Sequence, residues 1–142
     1  MLKIIIFISS AVYPVLAASL IPTMLYGFYE QDYFYANSLV ILLVSTLVFS
    51  FLIRKNILPT RKFTTIQGFG AVGISWILIS AYGTIPYLLS NINLSFIDIL
   101  FETISGFTTT GSSILSDIES VSASLLIWRS TTQWLGGMGI VV

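Results

Sequence analysis

Four consecutive residues, Thr108-Thr109-Thr110-Gly111, are the part of this 142-residue chain best suited to chemistry, and that chemistry is cation coordination. An alkali cation leaving water must exchange its hydration shell for oxygens of similar number and field. Three threonines in a row offer backbone carbonyls, with hydroxyls beside them. The glycine adopts backbone angles that aim successive carbonyls the same way, at no Cβ cost. A short helical pattern over residues 95–107 precedes the run, so the partial negative charge of its C-terminal end would face the ion. The same residues also fit a plainer description, a Ser/Thr-rich extracellular linker between two helices.

A second pair lies close by. Glu102 falls midway along the short helix, and Arg129 about two turns into the apolar segment that follows the threonines. An intramembrane arginine is costly unless paired or snorkelling. Their similar depth predicts an ion pair that braces the loop; the rival is Arg129 snorkelling to the outer headgroups.

Other chemistry has little to work with. The chain has no histidine and no cysteine, which removes the commonest general base, thiolate metal sites and disulfides. Asp98 and Glu102 stand i,i+4 on a helix without a visible nucleophile or metal partner, so no enzyme is expected. Six acids and six bases give a net charge of zero and no nucleic-acid footprint. Only 8% of residues are charged and 56% are hydrophobic, where a soluble domain carries about 25% charged residues. The chain therefore belongs in a lipid bilayer, as one bundle of a few helices.

The elements that must position these residues follow in order. Residues 4–29 carry no charge and are long enough for one spanning helix, with Pro14 and Pro22 predicting kinks. A signal peptide cut after Val15-Leu16-Ala17 is the alternative, but apolar sequence continues past that point to Phe28. A second helix has its apolar heart over residues 39–53 and is entered through Tyr33, Phe34 and Tyr35, read as an interfacial aromatic cluster. Residues 1–62 thus form two leading transmembrane helices and a basic loop around Pro59. Residues 63–142 form a helix–pore loop–helix unit.

In that unit an apolar stretch runs from about Thr65 to Leu89, with Gly68, Gly70 and Gly73 as packing positions. Ser95 N-caps the short helix over residues 95–107, with Asp98 completing a weaker capping box. That helix is roughly 18 Å long, too short for the ~30 Å core but able to reach its middle. The filter occupies residues 108–112. A fourth apolar segment begins near Val121 and is still running at Val142. The sequon Asn93-Leu94-Ser95 is too short a pattern to carry weight. The fold expected is an all-α membrane protein, its last helix truncated.

Charge placement orients it. Lys3, Arg54, Lys55, Arg61 and Lys62 fall on one side if the first three helices alternate; all six acids fall on, or open to, the other. The positive-inside rule puts the N-terminus and the 54–62 loop in the cytoplasm, so residues 90–120 dip in from outside.

The runs SGFTTTGSSIL at 105–115 and LIWRSTTQWLGGMGIVV at 126–142 closely resemble the first pore loop and following helix of Trk-type potassium uptake proteins (TrkH and TrkG, related to KtrB). The stretch from Arg129 through Gln133 and Trp134 to Gly139 is the most specific part, and the resemblance covers the whole chain. It implies potassium uptake across the plasma or inner membrane, with four such units around a pore in one polypeptide. It further implies a homodimer of the full-length protein and a cytoplasmic nucleotide-binding regulatory subunit. Thr109 and Thr110, with Thr108 beside them, would offer oxygens to potassium, and Gly111 would be the unit's filter glycine. The other three units are not in this sequence. The expectation is an N-terminal fragment supplying one filter segment of four, completed by remaining units or by copies of itself; a non-conducting membrane scaffold or accessory subunit is the alternative.

Overall fold

A computed structural model describes residues 2–56 and 64–141. Pro59, Arg61 and Lys62 of the basic loop, and the side chain of Lys3, lie outside the described residues. Those described form six helices and no strand: α1 (Leu2–Tyr29), α2 (Tyr33–Asn56), α3 (Thr65–Gly83), α4 (Ile85–Leu89), α5 (Phe96–Phe107) and α6 (Ala123–Val141). Among them, Ser10–Tyr29, Tyr33–Asn56 and Thr65–Leu89 are long and apolar enough to cross a membrane. α6 is not in that set, because it carries Arg129, Gln133 and a row of Ser and Thr. The protein is an all-α, multi-pass membrane protein.

α1 is the central post, packed on α2, α3 and α6, while α5 sits between α3 and α6. Proline inside a helix frees the carbonyl four residues back. Pro14 frees the carbonyl of Ser10, and the Ser50 hydroxyl of α2 donates to that oxygen at 2.7 Å. At Pro14 a neighbouring helix supplies the missing donor, and the helix continues through both prolines.

Six residues, 90–95, link α4 to the capped start of α5, whereas Thr84 alone separates α3 from α4. The continuous helix expected from Thr65 to Leu89 breaks at Gly83–Thr84, ahead of Pro86. Gly83 is where α5 crosses: a Cβ there would stand 2.5 Å from Phe107 Cε2 and 2.7 Å from Thr103 Cγ2. The carbonyl of Gly83 accepts the indole N–H of the fully buried Trp128 at 3.0 Å. Trp128→Phe leaves that buried oxygen unpaired, which costs about 1–3 kcal/mol. A matching drop in the unfolding midpoint of detergent-solubilised protein is the expected result, and an unchanged midpoint would show the bond to be dispensable.

The main core joins Leu20, Tyr35, Leu39, Tyr87, Ile99, Leu125 and Trp128, so α1, α2, α4, α5 and α6 all contribute. Tyr35 is therefore a core residue, 2% exposed, while Tyr33 and Phe34 remain exposed. The aromatic cluster read as interfacial is split by helical periodicity, since Tyr35 falls on the face turned to α1 and beside Gly27. Gly68 and Gly73 have nothing within 4 Å of a Cβ position, so they make no close helix contact among the described residues.

Candidate functional site

The short helix begins as its local chemistry dictates. The Ser95 hydroxyl accepts the Asp98 N–H at 3.3 Å, and the Asp98 carboxylate accepts the Ser95 N–H at 3.2 Å. These reciprocal bonds satisfy two of the N–H groups a helix start leaves open. At the other end the chain turns through Thr108 into Thr109, whose φ is +56°. The N–H groups of Thr108, Thr109, Thr110 and Gly111 then fold back onto the carbonyls of Ile104, Gly106, Ser105 and again Ser105. A left-handed residue after a helix is usually Gly or Asn. A β-branched residue there is a backbone outlier of the kind found at ligand clamps, costing of order 1–3 kcal/mol.

The turn points amide hydrogens inward and leaves oxygens outward. Ser112 O is tied down by the Ser105 hydroxyl at 2.6 Å, and Thr108 O by the Thr109 hydroxyl at 2.7 Å. Gly111 O receives only a long contact from Arg129 Nη2 at 3.5 Å. The carbonyls of Thr109 and Thr110 take no hydrogen bond from the described residues. The Thr108 and Thr110 hydroxyls stand 2.8 Å apart. Residues 108–114 are exposed, so these oxygens line an open surface. Gly111 has φ +74°, where an L-residue is strained.

Behind the loop lies the charged pair. Arg129 Nε donates to Glu102 Oε2 at 3.0 Å, and the Glu102 side chain is wholly buried. Its other oxygen accepts the Ser113 hydroxyl at 2.7 Å and the Ile114 N–H at 2.6 Å. One carboxylate thus joins α5, α6 and the segment that follows Gly111. Arg129 points inward to this carboxylate rather than out to headgroups.

Glycines let α6 lie directly against this assembly. A Cβ on Gly136 would overlap the Phe107 carbonyl oxygen, and one on Gly106 the Thr132 hydroxyl. At the outer end, Glu30 accepts the N–H groups of Ala123 and Ser124, each at 3.1 Å. This carboxylate caps α6 and favours its positive N-terminal end. Sequence reading used Glu30 only as one of the acids that orient the chain, and gave Ser105 and Ser113 no bracing role. Glu30 and its partners are more than 90 positions apart, so no local signal marks them. The capping explains why α6 starts at Ala123 rather than near Val121.

Comparison with known proteins adds the following. The family model TrkH, described as a cation transport protein, matches residues 31–142. The Trk system potassium uptake protein TrkI of Halomonas elongata is 45% identical over 76 residues, which is 54% of this chain and 15% of that protein. The potassium uptake protein TrkG of Escherichia coli is 33% identical over 130 residues, 87% of this chain and 26% of that protein. An uncharacterized cation transporter of Methanocaldococcus jannaschii is 32% identical over 124 residues, again 87% and 26%. The chain spans about a quarter or less of the length of these relatives.

Proposed function

The chain belongs to the TrkH family of cation transport proteins, and on that premise we propose that it supplies one of four filter segments of a potassium uptake pathway. The observation that carries the reading is the turn at 108–111. It commits its amide hydrogens to the end of α5 and leaves the Thr109 and Thr110 carbonyls exposed and unbonded among the described residues. Oxygens presented this way replace water around a cation. Potassium is the ion because the relatives named for an ion are potassium uptake proteins.

The ion enters from the acidic side, where Glu30, Asp32, Asp98, Asp117 and Glu119 lie, with the basic 54–62 loop in the cytoplasm. The membrane potential drives it, at about 2.3 kcal/mol per charge per 100 mV. No chemical step is needed. The remaining filter segments come from further pore-loop units or from copies of this one. A homodimer and a cytoplasmic nucleotide-binding regulatory subunit complete the assembly. Glu102 and Arg129 act as its brace, holding the loop without touching the ion.

Gly111→Ala tests this. Holding alanine at φ +74° costs about 1–2 kcal/mol, and each 1.36 kcal/mol corresponds to tenfold. In the natural polypeptide that carries this segment, reconstituted in liposomes, potassium flux or its preference over sodium is expected to fall about tenfold. A scaffold whose loop only contacts partners would show neither change.

A further inference from the structure

We propose that the cavity lined by Asp32, Ser90, Asn91, Asn93, Ser120 and Ser122 binds a small monovalent cation, and that it loads potassium ahead of the filter. The loading role rests on the filter reading above; the binding of a cation by the cavity does not.

Three separate segments meet here: the turn between α1 and α2, the link between α4 and α5, and the stretch that leads into α6. They enclose about 290 Å³, and the buried Leu125 also lines the space, so it reaches down to the core. Each wall is held by its own bonds. In the turn, the Asp32 N–H donates to Gly27 O at 3.1 Å. In the link, the Ser90 N–H donates to the carbonyls of Pro86 and Tyr87, and the Leu94 N–H to that of Ile92. Glu30 fixes the start of α6 through the N–H groups of Ala123 and Ser124. The cavity is therefore formed before any ligand arrives, as small-ligand sites usually are.

The polar groups that line it are mostly electron pairs. Asp32 Oδ1 accepts the Tyr35 N–H at 3.1 Å, and Oδ2 accepts no hydrogen bond among the described residues. A serine hydroxyl has one hydrogen to give. Ser90 donates its own to Tyr87 O at 2.7 Å, and Ser120 donates to Asp117 O at 2.9 Å. Both therefore offer only lone pairs to an occupant. The Asn91 and Asn93 carboxamides take part in no hydrogen bond among the described residues, so their oxygens are free to turn inward. No base lines the space: Arg54 and Lys55 sit at the far end of α2, and Arg129 is bonded to Glu102. One carboxylate among neutral oxygens repels an anion and balances a single positive charge. Calcium sites gain affinity with the number of charged ligands, and here there is one. Neutral oxygens beside it replace part of the hydration shell of an alkali cation.

Asp32→Asn removes the charge but keeps an acceptor for the Tyr35 N–H, because asparagine caps a helix start as well as aspartate does. Asn91→Ala combined with Asn93→Ala removes both carboxamides and leaves the charge. Asp117→Asn takes the same charge from an exposed position outside the cavity. The potassium dependence of uptake is measured for each in the natural polypeptide, reconstituted in liposomes. Elution on size exclusion and the unfolding midpoint serve as measures of folding. Asp32→Asn should raise KM about three- to tenfold, the range one charge a few ångström away supports in water. The asparagine pair should raise KM as well, both with kcat and the potassium-over-sodium ratio kept, and Asp117→Asn should move KM less. An effect of Asp32→Asn no larger than that of Asp117→Asn would mean a diffuse acidic field and no site. An unchanged KM in the asparagine pair would equally overturn the proposal, because the oxygens of the cavity would then not hold the ion. Gly111→Ala, run alongside, decides the filter separately. If it leaves flux and ratio intact, the filter reading fails, while the KM comparison still decides the cavity.

Discussion

Glu102→Ala is expected to destabilise the unit by about 3–5 kcal/mol and to abolish potassium uptake. The carboxylate is wholly buried and receives three donors: Arg129 Nε, the Ser113 hydroxyl and the Ile114 N–H. Its loss strands a guanidinium whose side chain is only 18% exposed, together with a hydroxyl and an amide from the segment that follows Gly111. Arg129→Met removes one donor of three and leaves the carboxylate its contacts to Ser113 and Ile114, so it should cost less. The order of the two effects is the test, read by unfolding in detergent and by rubidium uptake. Equal or reversed costs would mean that the arginine, not the carboxylate, organises the site.

The same geometry disqualifies a charge swap. Exchanging the residues, Glu102→Arg with Arg129→Glu, looks from the sequence like a rescue experiment for an ion pair. In the structure, an arginine at 102 would face the Ile114 N–H, donor against donor, where Glu102 now accepts. The swap should therefore fail although the pair exists. A double-mutant cycle with Glu102→Ala and Arg129→Met measures the coupling instead: the double variant should cost less than the sum of the singles, because no buried charge is left alone.

How much of this could be read beforehand depends on the range of each interaction. The short helix α5 was legible in the sequence, because its start is written in two residues three apart, Ser95 and Asp98, and its length in the polar run that follows. The matching box at Thr64 and Gln67, with the same spacing, opens α3. It was equally available to sequence reading and was not used. Where the third apolar stretch gives way, ahead of Pro86, is set by Gly83, under pressure from Phe107 and Thr103. Those contacts are tertiary. So is the burial of Tyr35, which an aromatic triplet at a helix start cannot distinguish from its exposed neighbours.

The turn at 108–111 was legible as composition but not as conformation. A glycine among threonines suggests one residue with positive φ; the structure has two, and the second is Thr109. No local preference produces a left-handed threonine. It is held there by the return of the Thr110 and Gly111 N–H groups to Ser105 and by the Ser105 hydroxyl on Ser112 O. Sequence chemistry thus names the oxygens, while long-range tethers decide which of them are left free.

The glycine run at the end of α6 separates these two kinds of information most sharply, and it gives the second large effect. Gly136 and Gly137 are adjacent and indistinguishable by composition, but Gly136→Ala should disrupt the site and Gly137→Ala should not. A Cβ on Gly136 would overlap the Phe107 carbonyl oxygen and stand 2.7 Å from its carbon and 3.0 Å from Cα. All three atoms are backbone, so no rotamer relieves the clash. Either α5 and α6 move apart, or the Phe107 peptide shifts and carries Thr108–Gly111 with it. Overpacking of this kind costs about 1–3 kcal/mol and occasionally more, and here the displaced atoms are those that position the 108–111 turn. On Gly137 the only near atom is Thr109 Cγ2 at 3.8 Å, an ordinary contact, and alanine gains about 1 kcal/mol of helix propensity over glycine. Unfolding midpoints and potassium flux of the two variants, measured side by side, should therefore diverge in opposite directions. Equal tolerance at both positions would mean that α6 does not rest on the end of α5, and the 108–111 turn would have to be held by Glu102 and Ser105 alone.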